Sequence, residues 1–339
     1  MAEKHRLRVS RRPESARVPR DTATMSLKHV ALGGGVFDNS GEHPNKKGWD
    51  IFELGQKSFW AVPTAVDWTV PVREDPEYAD AIAAMLAFLA PGEKAAVHGA
   101  SMISTKVQSE EAKFYFVEQA LEEAKHFDAL RKLYGKITGT PLGEPSAAIR
   151  MLYSFGVVDP DDVAFMMGSI NIIGEHLANQ IFHQINHVAK DETVRKVLAL
   201  IGKDESRHIA AGQRFFPEVY ATFRKNRHRI MAKNLATTTI LLVAGYELVN
   251  PMRKLEIDLA KILEAMYQHY DEVTDGLPAF PDQAIFDALL TLVRKTTPSA
   301  ISVVHKVTGE GGRIDARKLV HLCEAAIKSP RALRELFAA

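Results

Sequence analysis

The sequence predicts an all-α protein, and three observations predict it. Segments rich in Ala, Leu, Glu and Lys, all strong helix formers, recur from about Glu77 onward. Start and stop signals bound them: Ser109 and Asp191 stand before acidic first turns, and "TGTPLGEP" and "VVDPDD" interrupt the pattern with Pro, Gly and Asp. No alternation of apolar and polar residues long enough for a strand is present, nor any repeat of solenoid length.

The elements follow in order. Residues 1–44 form a flexible N-terminal arm, whose first 25 residues scatter Arg6, Arg8, Arg11, Arg12, Arg17 and Arg20 among Pro and Ser. They have no apolar core of a secretory signal, and a transit peptide or a nucleic-acid-binding arm shares such a composition. Met25 is a second candidate start. Residues 45–275 are the helical bundle, entered through an extended lead-in over 45–73 with two Trp-containing clusters, Pro63 and Pro71. "YADAIAAMLAFLA" is a helix, and a second helix restarts at Pro91-Gly92, where Pro suits a first turn. The next runs from Ser109 to about Lys136, a short one covers Ser146 to Phe155, and a long one runs from Pro160 to Val188. After "AKDE", with Asp191 as N-cap, a helix runs from Glu192 to about Phe216, ending before Pro217. Residues 219–272 give one or two more helices, and 276–339 form a C-terminal helical extension.

Bulk properties exclude several function classes. With 46% hydrophobic and 25% charged residues the chain reads as soluble and globular, and a net charge of +1 points to neither a nucleic-acid nor a membrane partner. The lone Cys323 excludes an internal disulfide, a zinc ribbon and a four-cysteine iron–sulfur cluster, and fits a cytoplasmic location. The longest apolar run, from Leu235, is interrupted by Glu247 and falls short of the roughly 20 residues a membrane span needs.

Two Glu-x-x-His pairs stand out, Glu123/His126 in "LEEAKH" and Glu205/His208 in "KDESRH". Residues three apart share a helix face, so each pair can offer two ligands to one ion, although such pairs also occur on solvated faces. Hairpin geometry supplies the test. In an antiparallel pair at about 1.5 Å per residue, a partner level with Glu123 lies as far before the turn as Glu123 lies after it. The first turn centres near Gln108, so 123 reflects onto 93; the second centres near Lys190, so 205 reflects onto 175. Both positions are Glu. The set Glu93, Glu123, His126, Glu175, Glu205 and His208 suits two octahedral first-row metals with bridging carboxylates, and is ill suited to a closed zinc site. It is the arrangement described generally for di-metal four-helix bundles: one Glu from each of two helices and a Glu-x-x-His from each of the others.

At these residues, with "FWAVPTAVDW", "GEKAA" and "GEHLAN", the sequence resembles the ferritin-like di-iron carboxylate superfamily over roughly 49–216. The resemblance is to its oxygen-activating branch: hydroxylases of bacterial multicomponent monooxygenases, ribonucleotide reductase small subunits and related ligand-binding oxidases. It implies a ferritin-like four-helix bundle with additional helices, two iron ions (or a Mn/Fe pair), O2 as cosubstrate, and electrons from an external ferredoxin or flavin reductase. It also implies that Asp204 orients the metal-binding His of the other motif. Glu122 holds the equivalent place but is one methylene longer than the usual Asp. Arg207 either pairs with one of these carboxylates or makes a surface salt bridge.

Departures separate the subfamilies. Leu130 stands where radical-storing subunits usually carry a Tyr, with Tyr134 a turn further on, and the chain ends "RALRELFAA" without a relay Tyr. Ile170 and Ala96 replace the Tyr and Val that ligand-binding oxidases crosslink, and Asn179 replaces the Thr of many hydroxylases. The leading expectation is therefore a di-iron monooxygenase that hydroxylates or N-oxygenates a small organic substrate. A di-metal oxidase or radical-generating protein is the alternative, and a non-catalytic iron-binding helical protein the third. A homodimer is left open. Around the ligands the expected substrate cavity comprises Gln119, Asn171 and Asn179, with Ala96, Ala100, Phe116, Phe127, Gly168 and Phe182. Its three amides point to a polar substrate, unless they bond to backbone or to the ligand carboxylates. His183 and His187, at i and i+4, are either a solvated pair or a second metal site.

Overall fold

The computed structural model describes residues 46–156, 162–223 and 247–257, with isolated helical positions between 240 and 273. The described residues contain helices and no strand, as the sequence predicts. The expectations for residues 1–44, for 276–339 and for most of the apolar run from Leu235 lie outside them. No described helix is long and apolar enough to cross a membrane.

In chain order the helices are α1 (Lys46–Ser58), α2 (Val62–Ala65), α3 (Pro76–Lys106), α4 (Glu110–Thr138), α5 (Ala147–Gly156) and α6 (Val163–Met167). A π-helical segment, Gly168–Gly174, then leads into α7 (Glu175–Val188), followed by α8 (Glu192–Phe223) and α9 (Val249–Lys254). Two hairpins make the frame. Helix α3 packs along α4 and α7 along α8, with α4 against α8 joining the pairs. One core cluster, around Ile82, Met85, Leu86, Leu130, Leu133, Ile181 and Ile201, fills one end. Another, around Ile103, Tyr115, Phe116, Met167, Phe215 and Phe216, fills the other.

Several boundaries differ from the sequence reading. The lead-in is helical over Lys46–Ser58 and Val62–Ala65 and non-helical between and after them; α1 packs on α4 and α8, with Trp49 edge-on to Phe52 at 5.9 Å and tilted against Phe114 at 5.7 Å. Its helical signal is diluted by Gly48 and Gly55, which both face α4 side chains at close range. A Cβ at either would lie 2.6 Å from the side chain of Glu111 or Glu118. Helix α3 is one helix, with Pro91 inside it. A proline there forfeits a backbone hydrogen bond at a cost of about 3 kcal/mol, but the helix buries Met85, Leu86 and Leu89 before it and Ala96, Ala100 and Ile103 after it. At roughly 1.5–3 kcal/mol per large apolar side chain, that burial outweighs the break. Pro217 lies inside α8 in the same way, followed by buried Val219 and Tyr220.

The caps agree more closely. Asp191 accepts from the Thr193 and Val194 N–H groups at 2.8 and 3.1 Å, and the Ser146 hydroxyl accepts from Ile149 N–H at 3.3 Å. Ser109 occupies the N-cap of α4, but its hydroxyl makes no capping bond. Asp162 caps the entry to α6, accepting from Phe165 N–H at 3.2 Å; Pro160, where the sequence starts this helix, lies outside the described residues.

Candidate metal centre

The turn between α3 and α4 spans 107–109 and that between α7 and α8 spans 189–191, so both are centred on the residues used for the reflection. Glu93 and Glu175 consequently lie level with Glu123 and Glu205. The structure brings all six residues together as two buried groups able to hold a metal ion: Glu93, Glu123, His126 and Glu205, and Glu123, Glu175, Glu205 and His208. Within each group the ligand atoms lie within 4.8 Å of one another. Glu123 and Glu205 belong to both.

Each imidazole presents Nδ1 to the cluster. His126 Nδ1 lies 3.5 Å from Glu93, 3.3 Å from Glu123 and 3.1 Å from Glu205. His208 Nδ1 lies 3.0 Å from Glu123, 3.6 Å from Glu175 and 3.1 Å from Glu205. The opposite nitrogens are held from outside: His126 Nε2 meets Asp204 at 3.1 Å and His208 Nε2 meets Glu122 at 3.0 Å. An Nε2–H donated to a carboxylate leaves the Nδ1 lone pair facing inward, the tautomer a metal ligand needs. The longer Glu122 thus makes the same contact as Asp204, each bracing the histidine of the other motif. Arg207 is buried and spans both braces, donating to Glu122 and, at 2.8 Å, to Asp204.

Asp204 carries two further groups that sequence reasoning missed. Trp60 Nε1–H donates to it at 2.7 Å, and buried Lys125 pairs with it at 2.7 Å, the ammonium lying 4.6 Å from the rings of Phe59 and Trp60. A buried Lys in the middle of "EEAKH" was a readable signal, since a charge so placed needs a partner.

The donor set fits a pair of divalent cations. Glu123 Oε2, Glu205 Oε1 and His126 Nδ1 are buried without a hydrogen-bond partner, a costly state unless something positive sits among them. The four inner carboxylates match two divalent ions in charge, while Lys125 and Arg207 offset Asp204 and Glu122. In the absence of a cation, protons take that place. Burial pushes the Glu93 and Glu175 carboxyls well above the usual carboxylate range. Burial acts the same way on Glu123 and Glu205, but hydrogen bonds and the nearby imidazoles override it, holding Glu123 well below that range and Glu205 at about 2. Burial would lower both imidazoles; the surrounding carboxylates prevail and raise His126 and His208 well above the ordinary histidine value.

The expected cavity is only partly where the sequence placed it. Gln119 Nε2 donates to Glu123 at 3.0 Å and to Glu175 at 2.7 Å, and its carbonyl accepts from Asn171 at 2.9 Å. Two of the three amides thus organise the ligands rather than line a pocket. Ala100 and Phe116 are core, as is Phe182, and Gly168 packs toward Phe216. Asn179 sits opposite Gly202 on α8, and Phe127 lines an outer groove. Ala96 does line the cavity beside the cluster, a space of about 110 Å3. The other walls come from Phe88, Leu89, Leu152, Ile170, Ile173 and Leu177, with Glu93 and Glu175 bordering it. The cavity lies on the side of α5 and the π segment, which helix period alone does not specify. His183 and His187 are exposed and belong to neither metal-competent group.

The π segment aims Glu175. Glu175 N–H bonds to the carbonyl of Ile170, five residues back, and such widened turns frequently occur at functional sites. Helix α8 presses against the segment at Gly212, where a Cβ would lie 2.9 Å from the Asn171 side chain and 3.0 Å from its carbonyl oxygen.

Compared with known proteins, the sequence matches no family and no curated protein.

Proposed function

We propose that the chain is a ferritin-like, non-haem di-iron monooxygenase that hydroxylates or N-oxygenates a small organic substrate. One observation carries this reading: two buried metal-competent groups share Glu123 and Glu205 and border an apolar cavity through Glu93 and Glu175. Storage of iron needs no such cavity beside the ligands. Two iron ions bound there, reduced by an external ferredoxin or flavin reductase, would supply the oxygen-activating redox chemistry. For hydroxylation the balance is RH + O2 + 2 e− + 2 H+ → ROH + H2O, with both electrons coming from that donor.

The chain's own residues set the conditions. Glu123 and Glu205 belong to both groups and would serve either ion, and Asp204 and Glu122 hold the imidazoles in one tautomer. Gln119 restrains Glu123 and Glu175 with a single amide, so neither carboxylate swings freely. The largely apolar wall disfavours water at the reacting position, and Glu93 and Glu175 are the charged edges a substrate would meet. Loading the protein with ferrous iron, supplying oxygen and following ferrous iron provides the test. Reoxidation of both ions in one rapid phase is expected; ferrous iron persisting for minutes in air contradicts the reading.

Tyr115 favours a second reading, an oxidase or radical-generating protein with an Fe/Fe or Mn/Fe pair. Its hydroxyl is buried without a hydrogen-bond partner, and the ring lies within electrostatic reach of His208, Glu122 and Glu175. A persistent tyrosyl signal in electron paramagnetic resonance after oxygen exposure, lost in Tyr115→Phe, would move the assignment to this class. Its absence upholds the first.

A further inference from the structure

Outside the cavity beside the cluster lies a larger groove of about 520 Å3, walled by α3, α4, the 139–146 loop and α5. Ala95 and Tyr153 line both spaces, so the two adjoin at these side chains. Their chemistry differs. The inner one is apolar apart from the two ligand carboxylates, Ser169 and the Tyr153 hydroxyl. The outer one sets Lys94, His98, Arg131 and Arg150 against a single carboxylate, Glu144.

These cations are not equally committed. Arg131 pairs with Asp128 on its own helix. Lys94 lies over the Phe127 ring at 5.3 Å and has no carboxylate partner among the described residues, and the Arg150 guanidinium has none either. Setting Glu144 against these two leaves one positive charge, and Asp128 holds Arg131 only jointly with Lys132, so the groove keeps a positive surplus suited to an anion. The groove is open to water, so the head group of a ligand could stay partly hydrated there while its apolar part is buried.

We propose that this groove is the head-group site for an amphiphilic carboxylate, held by Lys94 and Arg150, whose apolar chain or ring passes Tyr153 into the cavity beside Glu93 and Glu175. The proposal deepens the oxygenase reading and rests on it for the chemistry, though binding itself needs only the groove and the cavity. It corrects the basis on which the sequence suggested a polar substrate. Gln119 is taken up by the Glu123 and Glu175 carboxylates and Asn171 by Gln119, so recognition of the polar group moves to the rim. It also fixes the orientation: the position oxidised is on the apolar part, away from the carboxylate.

Isothermal titration of the full-length, iron-loaded protein with octanoate, octan-1-ol and acetate tests this. Octanoate should bind at least about tenfold more tightly than octan-1-ol, which lacks the charge, and than acetate, which lacks the chain. The double variant Lys94→Gln/Arg150→Gln should bind octanoate no better than octan-1-ol, keep its affinity for octan-1-ol, and retain the same iron content. Equal affinities for octanoate and octan-1-ol overturn the proposal, as does a double variant that still prefers octanoate. Acetate binding as tightly as octanoate also overturns it, since that marks a carboxylate held by the metals. A charge- and chain-dependent preference in protein that takes up no iron would uphold the groove while defeating the di-iron reading.

Discussion

The two halves of the candidate centre carry the same metal-competent side chains on different scaffolds. Glu93, Glu123 and His126 stand on α3 and α4, two uninterrupted helices, one of which runs through Pro91. Glu175, Glu205 and His208 stand on α7 and α8, where a π segment precedes Glu175 and α8 closes on it at Gly212. The outer contacts differ as well: Asp204, behind His126, holds Trp60, Lys125 and Arg207, whereas Glu122, behind His208, holds Arg207 and, at 3.7 Å, Lys125. Ligand symmetry is thus a matter of helix spacing, and asymmetry a matter of what each helix packs against. Metal affinity should follow the first and stability the second.

The largest effect should come from breaking what the halves share. Glu123→Ala or Glu205→Ala removes a ligand from both groups and should reduce bound iron to well under one ion per chain, whereas Glu93→Ala or Glu175→Ala touches one group and should leave about one. Metal analysis after gel filtration reads the difference. If Glu123→Ala and Glu93→Ala lose the same amount, the two groups are not joined as described.

The outer contacts offer a sharper comparison. Asp204→Asn should destabilise the protein by about 3 kcal/mol, because it removes the 2.7 Å partner of buried Lys125 and leaves it only Glu122, at 3.7 Å. Glu122→Gln should cost less, since Arg207 keeps Asp204. Denaturant unfolding measures both, and Lys125→Met added to Asp204→Asn should recover part of the loss. Either single change should also weaken metal binding by roughly 10–100-fold through the freed imidazole.

Smaller effects test the scaffolds. Gly212→Ala should cost about 1–3 kcal/mol by forcing α8 away from Asn171, and Pro91→Ala should stabilise the first half by about 1–3 kcal/mol by restoring a helix hydrogen bond. Equal and negligible effects on melting temperature would remove the distinction drawn between the halves.

The metal-free protein should also show a particular pH dependence. Glu93, Glu175, His126 and His208 have folded pKa values raised above their unfolded ones, so the stability they contribute is present at low pH and lost as pH rises. For the histidines that loss sets in above the ordinary value of 6.5. Glu123 and Glu205 are lowered, so their contribution is lost instead as pH falls below the ordinary carboxylate value of 4.5. Metal binding displaces the shared protons, so the rise in melting temperature on adding iron should grow from pH 6 to pH 8. A metal-induced shift independent of pH over that range contradicts the proton assignment.

Much of this was legible in the sequence, because helix spacing is a local rule. The turns at Gln108 and Lys190 located Glu93 and Glu175 from Glu123 and Glu205 without any knowledge of packing. What escaped was whatever depends on tertiary contact. Pro91 and Pro217 break helices in isolation but not where both flanks are buried, and Gly48 and Gly55 hide α1 until α4 is seen against it. The π segment leaves no periodic trace, and Trp60 reaches Asp204 across 144 positions of sequence. The cavity was misplaced because a helical turn can be counted in any direction, and only the packing of α5 shows which direction is open.

The central claim is that the six ligands form one centre for two ions. Anaerobic titration of the metal-free protein with ferrous iron tests it most directly. The account predicts saturation at two ions per chain, with His126→Ala and His208→Ala each saturating at one. Saturation of the unaltered protein at one ion, or at none, contradicts it.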